Sequence, residues 1–255
     1  MSLFLACTII VIVLVFIAAL LRKLLKRRTL TYLPELERMI HVLYINMDQD
    51  TQRREKYISF MPLACPEHIS IERVQGVSHS WGLEGCRLAH LRALSRALEL
   101  NQRYVMITED DIMSSEVGLP LQSCLSEFFS KVEALDDDRA PVLLLLECGS
   151  DLESKIALRE CRGGAHFRRA IFFGNNSGAY LVRKDFIPTL SMLWKAARGI
   201  HVDHSWQLLW PFNEVWMAFP PPLKQATVWS HNLKDIREES RAFDVDTYYE
   251  KNRHL

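Results

Sequence analysis

The sequence has no surplus of charge: Lys and Arg number 31, Asp and Glu number 31, and the formal net charge is zero. A neutral chain has no overall field to gather nucleic acid or a strongly acidic partner, so nucleic acid is not expected as a partner. Glycine-rich phosphate loops are missing too. No Gly-x-Gly-x-x-Gly follows the first apolar run, which disfavours a dinucleotide fold. Nor is there a Gly-x-x-x-x-Gly-Lys loop of a P-loop ATPase or a Gly-x-Ser-x-Gly nucleophile elbow. Internal repeats and low-complexity segments are absent. Cysteine is sparse, with six residues: Cys7, Cys65, Cys86, Cys124, Cys148 and Cys161. They show no CxxC and no Cys/His metal spacing. Cys86 and Cys148 lie among apolar neighbours and read as buried thiols, a pattern that suits a reducing compartment.

Apolar residues, in contrast, are plentiful. A 49% hydrophobic and 10% aromatic content over 255 residues fills one large core or two small ones and excludes disorder. Leu3 to Leu21 carries no charge, and as a helix it spans roughly 28 Å at about 1.5 Å per residue, the thickness of a bilayer's hydrocarbon. Arg22, Lys23, Lys26, Arg27 and Arg28 follow it. It lacks the basic start, short apolar core and small-residue cleavage site of a signal peptide, so an uncleaved single-pass anchor is expected. Because the positive charge follows the span, the globular part is expected on the cytoplasmic side. A Golgi or ER luminal type II arrangement is the alternative.

The division expected is an anchor with its basic flank at 1–28, a linker at 29–38, an α/β domain at 39–235 and a charged tail at 236–255. His41 to Ile45 reads as a strand, closed by Asn46 to Asp50, with a helix from Thr51 to Phe60 capped by Asp50 or Thr51. Ile69 to Ile71 is a second short strand. Leu91, Leu94 and Leu98 recur at helical spacing within an amphipathic helix over Leu83 to Leu100. A helix from Leu121 to Leu135 ends in the solvated acidic run Asp136 to Asp138. Pro141 to Glu147 is a fully buried strand. Ala170 to Phe173 and Gly178 to Val182 flank a tight connection, and a helix follows from Asp185 to Ala197. Lys224 to Val228 is a last strand, and a surface helix and tail begin near Asn232. Alternating strands and helices imply a mainly parallel sheet with helices on both faces.

The chemistry concentrates in Tyr104 to Ile112. A buried strand there runs into Glu109, Asp110 and Asp111, at the end where open α/β sheets place their ligands. In an extended chain Glu109 and Asp111 share one side and Asp110 takes the other. Two readings are open at this stage: a solvated acidic turn, or oxygen donors for a hard cation, Mg²⁺ or Mn²⁺, that holds a diphosphate.

Further motifs accompany this stretch. Ile45-Asn46-Met47-Asp48 with Arg53 follows the first strand, Gly85-Cys86-Arg87-Leu88-Ala89-His90 opens the helix before the acidic strand, and Gly178-Ala179-Tyr180-Leu181-Val182-Arg183 comes later. Val202-Asp203, then Gln225 and Ser230, complete the set. In order and spacing, over roughly His41 to Leu233, they resemble glycosyltransferase family 25, the lipopolysaccharide and procollagen-type galactosyltransferases. Departures from the pattern are Gln49-Asp50, Gln52 and Ala89.

The resemblance implies a GT-A-like fold and an inverting transfer of a hexose, galactose or a relative, from a UDP-linked donor to a hydroxyl of a glycan, lipid or protein. It also implies Mn²⁺ (or Mg²⁺) held by Asp111 with Glu109 or Asp110, with His231 either completing the metal shell or standing as an isolated surface histidine. Asn46, Asp48 and Arg53 would cradle the nucleoside, or simply form a capped turn. His90 and Tyr180 belong to the nucleotide-sugar set, with a satisfied helix histidine as the plainer account of His90. Asp203 is the candidate general base, or else a helix N-cap. Trp206, Trp210, Phe212, Trp216 and Phe219 form a sugar platform or core. A catalytically inactive, membrane-tethered protein of the same fold and a metal-dependent phosphohydrolase are the competing functions.

Overall fold

The computed structural model describes residues 40–65, 69–116, 118–147, 157–160, 166–172, 177–226, 228–230 and 235–237. The expected anchor, its flank, the linker, His231, Cys148, Cys161 and most of the tail lie outside the described residues. Among the described residues, no helix is long and apolar enough to cross a membrane.

The chain opens with β1 (Ile40–Asn46), α1 (Thr51–Ala64), β2 (Ile69–Gln75), α2 (Gly82–Glu99) and β3 (Tyr104–Glu109). β1 pairs in parallel with both β2 and β3, so each helix carries the chain back to the starting edge. After these come β4 (Ile112–Ser114), α3 (Leu121–Glu133), β5 (Leu143–Leu145), β6 (Ala157–Glu160), β7 (Phe167–Phe172) and β8 (Ala179–Arg183). A 3₁₀ turn leads from β8 into α4 (Ile187–Ala196), then α5 (Val202–Ser205), a second 3₁₀ segment, β9 (Val215–Ala218), β10 (Leu223–Gln225), β11 (Val228–Ser230) and β12 (Asp235–Arg237).

Eight strands form one sheet in the order β2-β1-β3-β8-β5-β9-β7-β6. Six of them point the same way, as expected of a mainly parallel sheet. Yet β8 and β7 run against their neighbours, which makes four of the seven pairings antiparallel. β5 and β9 lie between β7 and β8, so the expected tight connection across residues 174–177 does not pair them. The surface helix expected from Asn232 is corrected at Asp235–Arg237, which pairs antiparallel with Val228–Ser230 and sets Ile236 opposite Trp229. Both are residue types that favour strands.

Side-chain alternation sorts the core into two layers. Val105, Ile107, Leu143, Leu145, Tyr180 and Val182 face α2 and α4, where Leu94, Leu190 and Trp194 meet them. Tyr104, Met106, Leu144 and Leu181 face α1 and α3, against Tyr57, Met61, Leu125 and Phe128. α1 has a weak apolar stripe and buries only Tyr57 and Met61, one turn apart. Tyr57 compensates by stacking on Tyr44 with centroids 4.5 Å apart and by a 2.6 Å hydrogen bond between its hydroxyl and that of Thr108. Burial drives the Tyr57 phenol well above its ordinary pKa, so it stays neutral. On the other layer, Arg87 donates to Trp194 O at 2.8 Å and ties α2 to α4.

Candidate functional site

Parallel neighbours β1 and β3 end side by side, with Ile45 opposite Glu109. The expected nucleoside-binding and metal-binding residues therefore gather at one edge, where the chain leaves the sheet. Glu109 is the last residue of β3; Asp110 and Asp111 form the turn into β4, pinned by Ala226 N donating to Asp111 O at 2.6 Å. Because the strand ends at Glu109, the strict alternation expected of the triplet stops there.

Asp110 and Asp111 both turn toward α1. Asp110 is 8% exposed and accepts from Asn46 Nδ2 at 2.5 Å and from Arg53 Nη2. Asp111 is 7% exposed, and its Oδ2 stands 3.4 Å from the same Arg53 nitrogen. A charge-assisted bond is about 2.7–2.9 Å, so Arg53 holds Asp110 first and Asp111 loosely. Burial raises the Asp110 pKa above the usual carboxylate value, against the opposing pull of Arg53 and the Asn46 hydrogen bond. Burial works against the Arg53 charge, but Asp111, Asp110, Asp50 and Glu109 together raise its pKa.

Asn46 uses its whole amide. Nδ2 also donates to Asp50 O at 3.1 Å, and Oδ1 accepts from Arg73 Nε at 3.0 Å. Arg73, on β2, reaches Asn46 O at 3.0 Å and Asp48 Oδ1 at 2.5 Å, while Gln75 Nε2 bonds the other Asp48 oxygen. The hydrogen bonds from Arg73 and then Gln75 hold the exposed Asp48 carboxyl below its ordinary pKa. Asp50 occupies the cap position of α1, as expected, though its side chain makes no capping hydrogen bond to the first turn.

Glu109 points the other way, to the α2 face shared by Val105 and Ile107. Its Oε1 is 3.3 Å from His90 Nε2 and 3.4 Å from Ser177 Oγ, which donates to it. His90 is buried, and its Nδ1 is 3.1 Å from the hydroxyl of Tyr180. Tyr180 is wholly buried among Trp194, Trp206 and His90, which places it behind the site rather than on its surface.

Asp203 lies half-buried in the first turn of α5, whose cap position belongs to His201, so Asp203 is not the N-cap. Trp206, Trp210, Trp216 and Phe219 are buried and make core; of that block only Phe212 is exposed. Trp81, at the head of α2, is 49% exposed, and a Cβ at Gly199 would stand 2.7 Å from its ring, so only glycine lets that ring lie so close.

Three features escaped sequence reasoning. Arg73 and Gln75 join the site because β2 lies beside β1. Cys86 stands one helical turn before His90, with its sulfur near the His90 and Glu109 ligand atoms. Glu147, 1% exposed just beyond β5, falls in register with Gly178, which in turn opposes Glu109. A Cβ at Gly178 would lie 2.0 Å from Glu147 Oε2, so the glycine opens a notch for that carboxylate between the two strands. An apolar strand ending in Glu was the only signal available for Glu147.

The oxygen donors therefore divide: Asp111 lies on the α1 side, where carboxylate chemistry suits a hard cation, and Glu109 lies on the α2 side with His90 and Cys86. Asp110 is engaged by Asn46 and Arg53, so the triplet does not act as three equal donors.

No family model matches the chain, and no curated protein matches it. Among solved structures it is similar to a glycosyltransferase involved in the glycosylation of the major capsid of PBCV-1, at 12% identity over 63% of this chain and 68% of that one, TM-score 0.40. It is similar to the mannosyltransferase PcManGT from Pyrobaculum calidifontis in complex with GDP-Man and Mn²⁺, at 14% identity over 82% and 65%, TM-score 0.42. It is also similar to the galactosyltransferase LgtC in complex with donor and acceptor sugar analogs, at 11% identity over 70% and 73%, TM-score 0.40. Likenesses this slight say nothing of chemistry.

Proposed function

We propose that the chain is a metal-dependent glycosyltransferase that moves a hexose, galactose or a relative, from a UDP-linked donor to an acceptor hydroxyl with inversion. The observation that carries this reading is the meeting of Asn46, Arg53, Asp110 and Asp111 at the adjoining ends of β1 and β3. These are residues on which the family resemblance rests, and the strand ends are where open sheets bind ligands. Arg53 and Arg73 set positive charge toward a diphosphate, and Asp48, ionised and exposed, accepts hydrogen bonds from ribose hydroxyls. Asp111 would hold Mn²⁺ or Mg²⁺, which when bound offsets the charge that develops on the departing diphosphate. Asp203 takes the proton from the acceptor hydroxyl, and Trp81 offers an apolar face to the acceptor sugar. The apolar stretch Leu3 to Leu21 anchors the enzyme, with its globular part on the cytoplasmic side.

One observation favours a second reading. Arg53 already balances much of the Asp110 and Asp111 charge, as suits a donor-binding protein without catalysis. Mn²⁺-dependent hydrolysis of UDP-hexoses in a screen of nucleotide-sugars supports the enzyme; binding without turnover at any metal concentration supports the binding protein. Asp203→Asn should remove transfer and keep donor binding, and unchanged transfer would reassign the base. Protease protection on sealed membranes tests the topology: a shielded globular domain reverses it.

A further inference from the structure

Cys86, His90 and Glu109 bring three different ligand types together. Cys86 and His90 stand at i and i+4 on α2, so they share a helix face. That face looks onto the end of β3, from which Glu109 projects. Sγ, an imidazole nitrogen and a carboxylate oxygen all lie within 4.8 Å of one another. His90 Nε2 and Glu109 Oε1, at 3.3 Å, already have the separation of neighbouring ligands on a tetrahedral ion, about 3.5 Å for bonds of 2.0–2.3 Å. The sulfur needs to close by about 1.3 Å at most to reach the same separation.

We propose that Cys86, His90 and Glu109 form a binding site for a thiophilic transition-metal ion of the Zn²⁺ class, distinct from the hard-cation role of Asp111.

The surroundings support a built site. Tyr180 fixes His90 from behind: its hydroxyl sits 3.1 Å from Nδ1 and, as an acceptor, selects the tautomer with the proton on Nδ1 and the Nε2 lone pair facing Glu109. Ser177 Oγ holds Glu109 from the other side. The Glu109 side chain is 20% exposed while His90 is 1% exposed, so the cluster is dry at the imidazole and reaches solvent at the carboxylate. Thiolate and imidazole select Zn²⁺-like ions over Mg²⁺, and carboxylate alone would not. Binding displaces the thiol proton of Cys86 to solvent, so affinity rises with pH. In the metal-free protein Nε2 meets Glu109 through a proton; metal binding releases that proton to solvent along with the thiol proton, and the tautomer held on Nδ1 by Tyr180 is the one that binds.

Co²⁺ alone, added to the reduced full chain without nucleotide, tests the site. One equivalent should produce a thiolate-to-cobalt absorption in the near ultraviolet together with the visible bands of a tetrahedral ion, and Zn²⁺ should bleach both. Cys86→Ser should lose the thiolate band, and Tyr180→Phe should weaken Co²⁺ binding about 10-fold through the freed imidazole. Zn²⁺ should also protect Cys86 from alkylation, read by mass on its own peptide in the unaltered protein, so misfolding of a variant does not shelter the idea. A folded protein without the thiolate band, a band that persists in Cys86→Ser, or alkylation indifferent to Zn²⁺ overturns the site. Mn²⁺-dependent nucleotide-sugar binding, measured separately, reports on the transferase reading, so the two can fail independently.

Discussion

Three carboxylates in a row enter two unlike environments. Asp110 and Asp111 meet a guanidinium, a side-chain amide and the α1 side of the sheet. Glu109, one residue earlier, meets an imidazole, a hydroxyl and a thiol on the α2 side. The cause is where β3 stops. Glu109 still obeys the strand's alternation, while the turn at Asp110 and Asp111 swings both of the next side chains back toward β1. Adjacent residues of one chemical type thus divide between a site suited to an anion with a hard cation and a site suited to a softer ion.

The largest effect that would separate the two sides is expected from Asp111→Ala. Transfer should fall by about 100- to 1000-fold, the scale of removing one charge-stabilising group, with circular dichroism unchanged. Co²⁺ absorption at the Cys86 side should persist, and full transfer activity would remove Asp111 from the mechanism.

Arg53→Met comes next. Its loss leaves the Asp110 carboxylate buried without its cation. A cost on the order of 2 kcal/mol is expected in urea unfolding, below the 3–5 of a fully dry pair because a fifth of Arg53 remains exposed. The pH dependence has a definite sign. Asp110 has a raised pKa in the folded state, so the folded chain binds its proton more readily than the unfolded one. Its contribution to stability therefore falls as pH rises from the ordinary carboxylate value through the raised one. Arg53 opposes the shift, so Arg53→Met should move the Asp110 carboxyl midpoint, followed by carbon NMR, still higher. A lower or unchanged midpoint would show that the guanidinium is not its partner.

Gly178→Ala sharpens the view from the middle of the row. The new methyl would occupy the notch that holds Glu147, at a cost of about 1–3 kcal/mol, typical of overpacking. Transfer should drop with it, while a variant as active and stable as the parent would make Glu147 a bystander. The smallest effect belongs to Tyr57→Phe, behind the Arg53 side. Losing the bond to the buried Thr108 hydroxyl should lower stability by about 1 kcal/mol and leave the Co²⁺ signal untouched.

Much of the fold was legible. β1, β3 and α2 announce themselves as short apolar runs or a repeating apolar stripe, because local periodicity and burial coincide there. The grouping of Asn46, Arg53, Asp110 and Asp111 was visible only as separated motifs in a familiar order; that β1 lies beside β3 is a tertiary fact. Glu147 stayed hidden because its place depends on the antiparallel insertion of β8, and no local pattern marks which strands flank it. Cys86 was a different kind of miss. Its spacing of four from His90 is that of one helical turn, not the CxxC or Cys/His spacing of a zinc finger, and a ligand pair of that kind shows only once the helix and the end of β3 are brought together. His231 and the anchor lie outside the described residues and stay as read from the sequence.

Asn46 has a consequence beyond the site. Its one amide is grasped by the turn after β3 on one side and by β2 on the other, so it joins three strands at a single point. Were β1 to slide by one position, Met47 or Ile45 would arrive there, and neither thioether nor aliphatic branch answers Asp110 and Arg73. A misaligned chain would leave Asp110 without its amide donor and Arg73 without its amide acceptor, which makes this asparagine a checkpoint for correct assembly as well as part of the pocket.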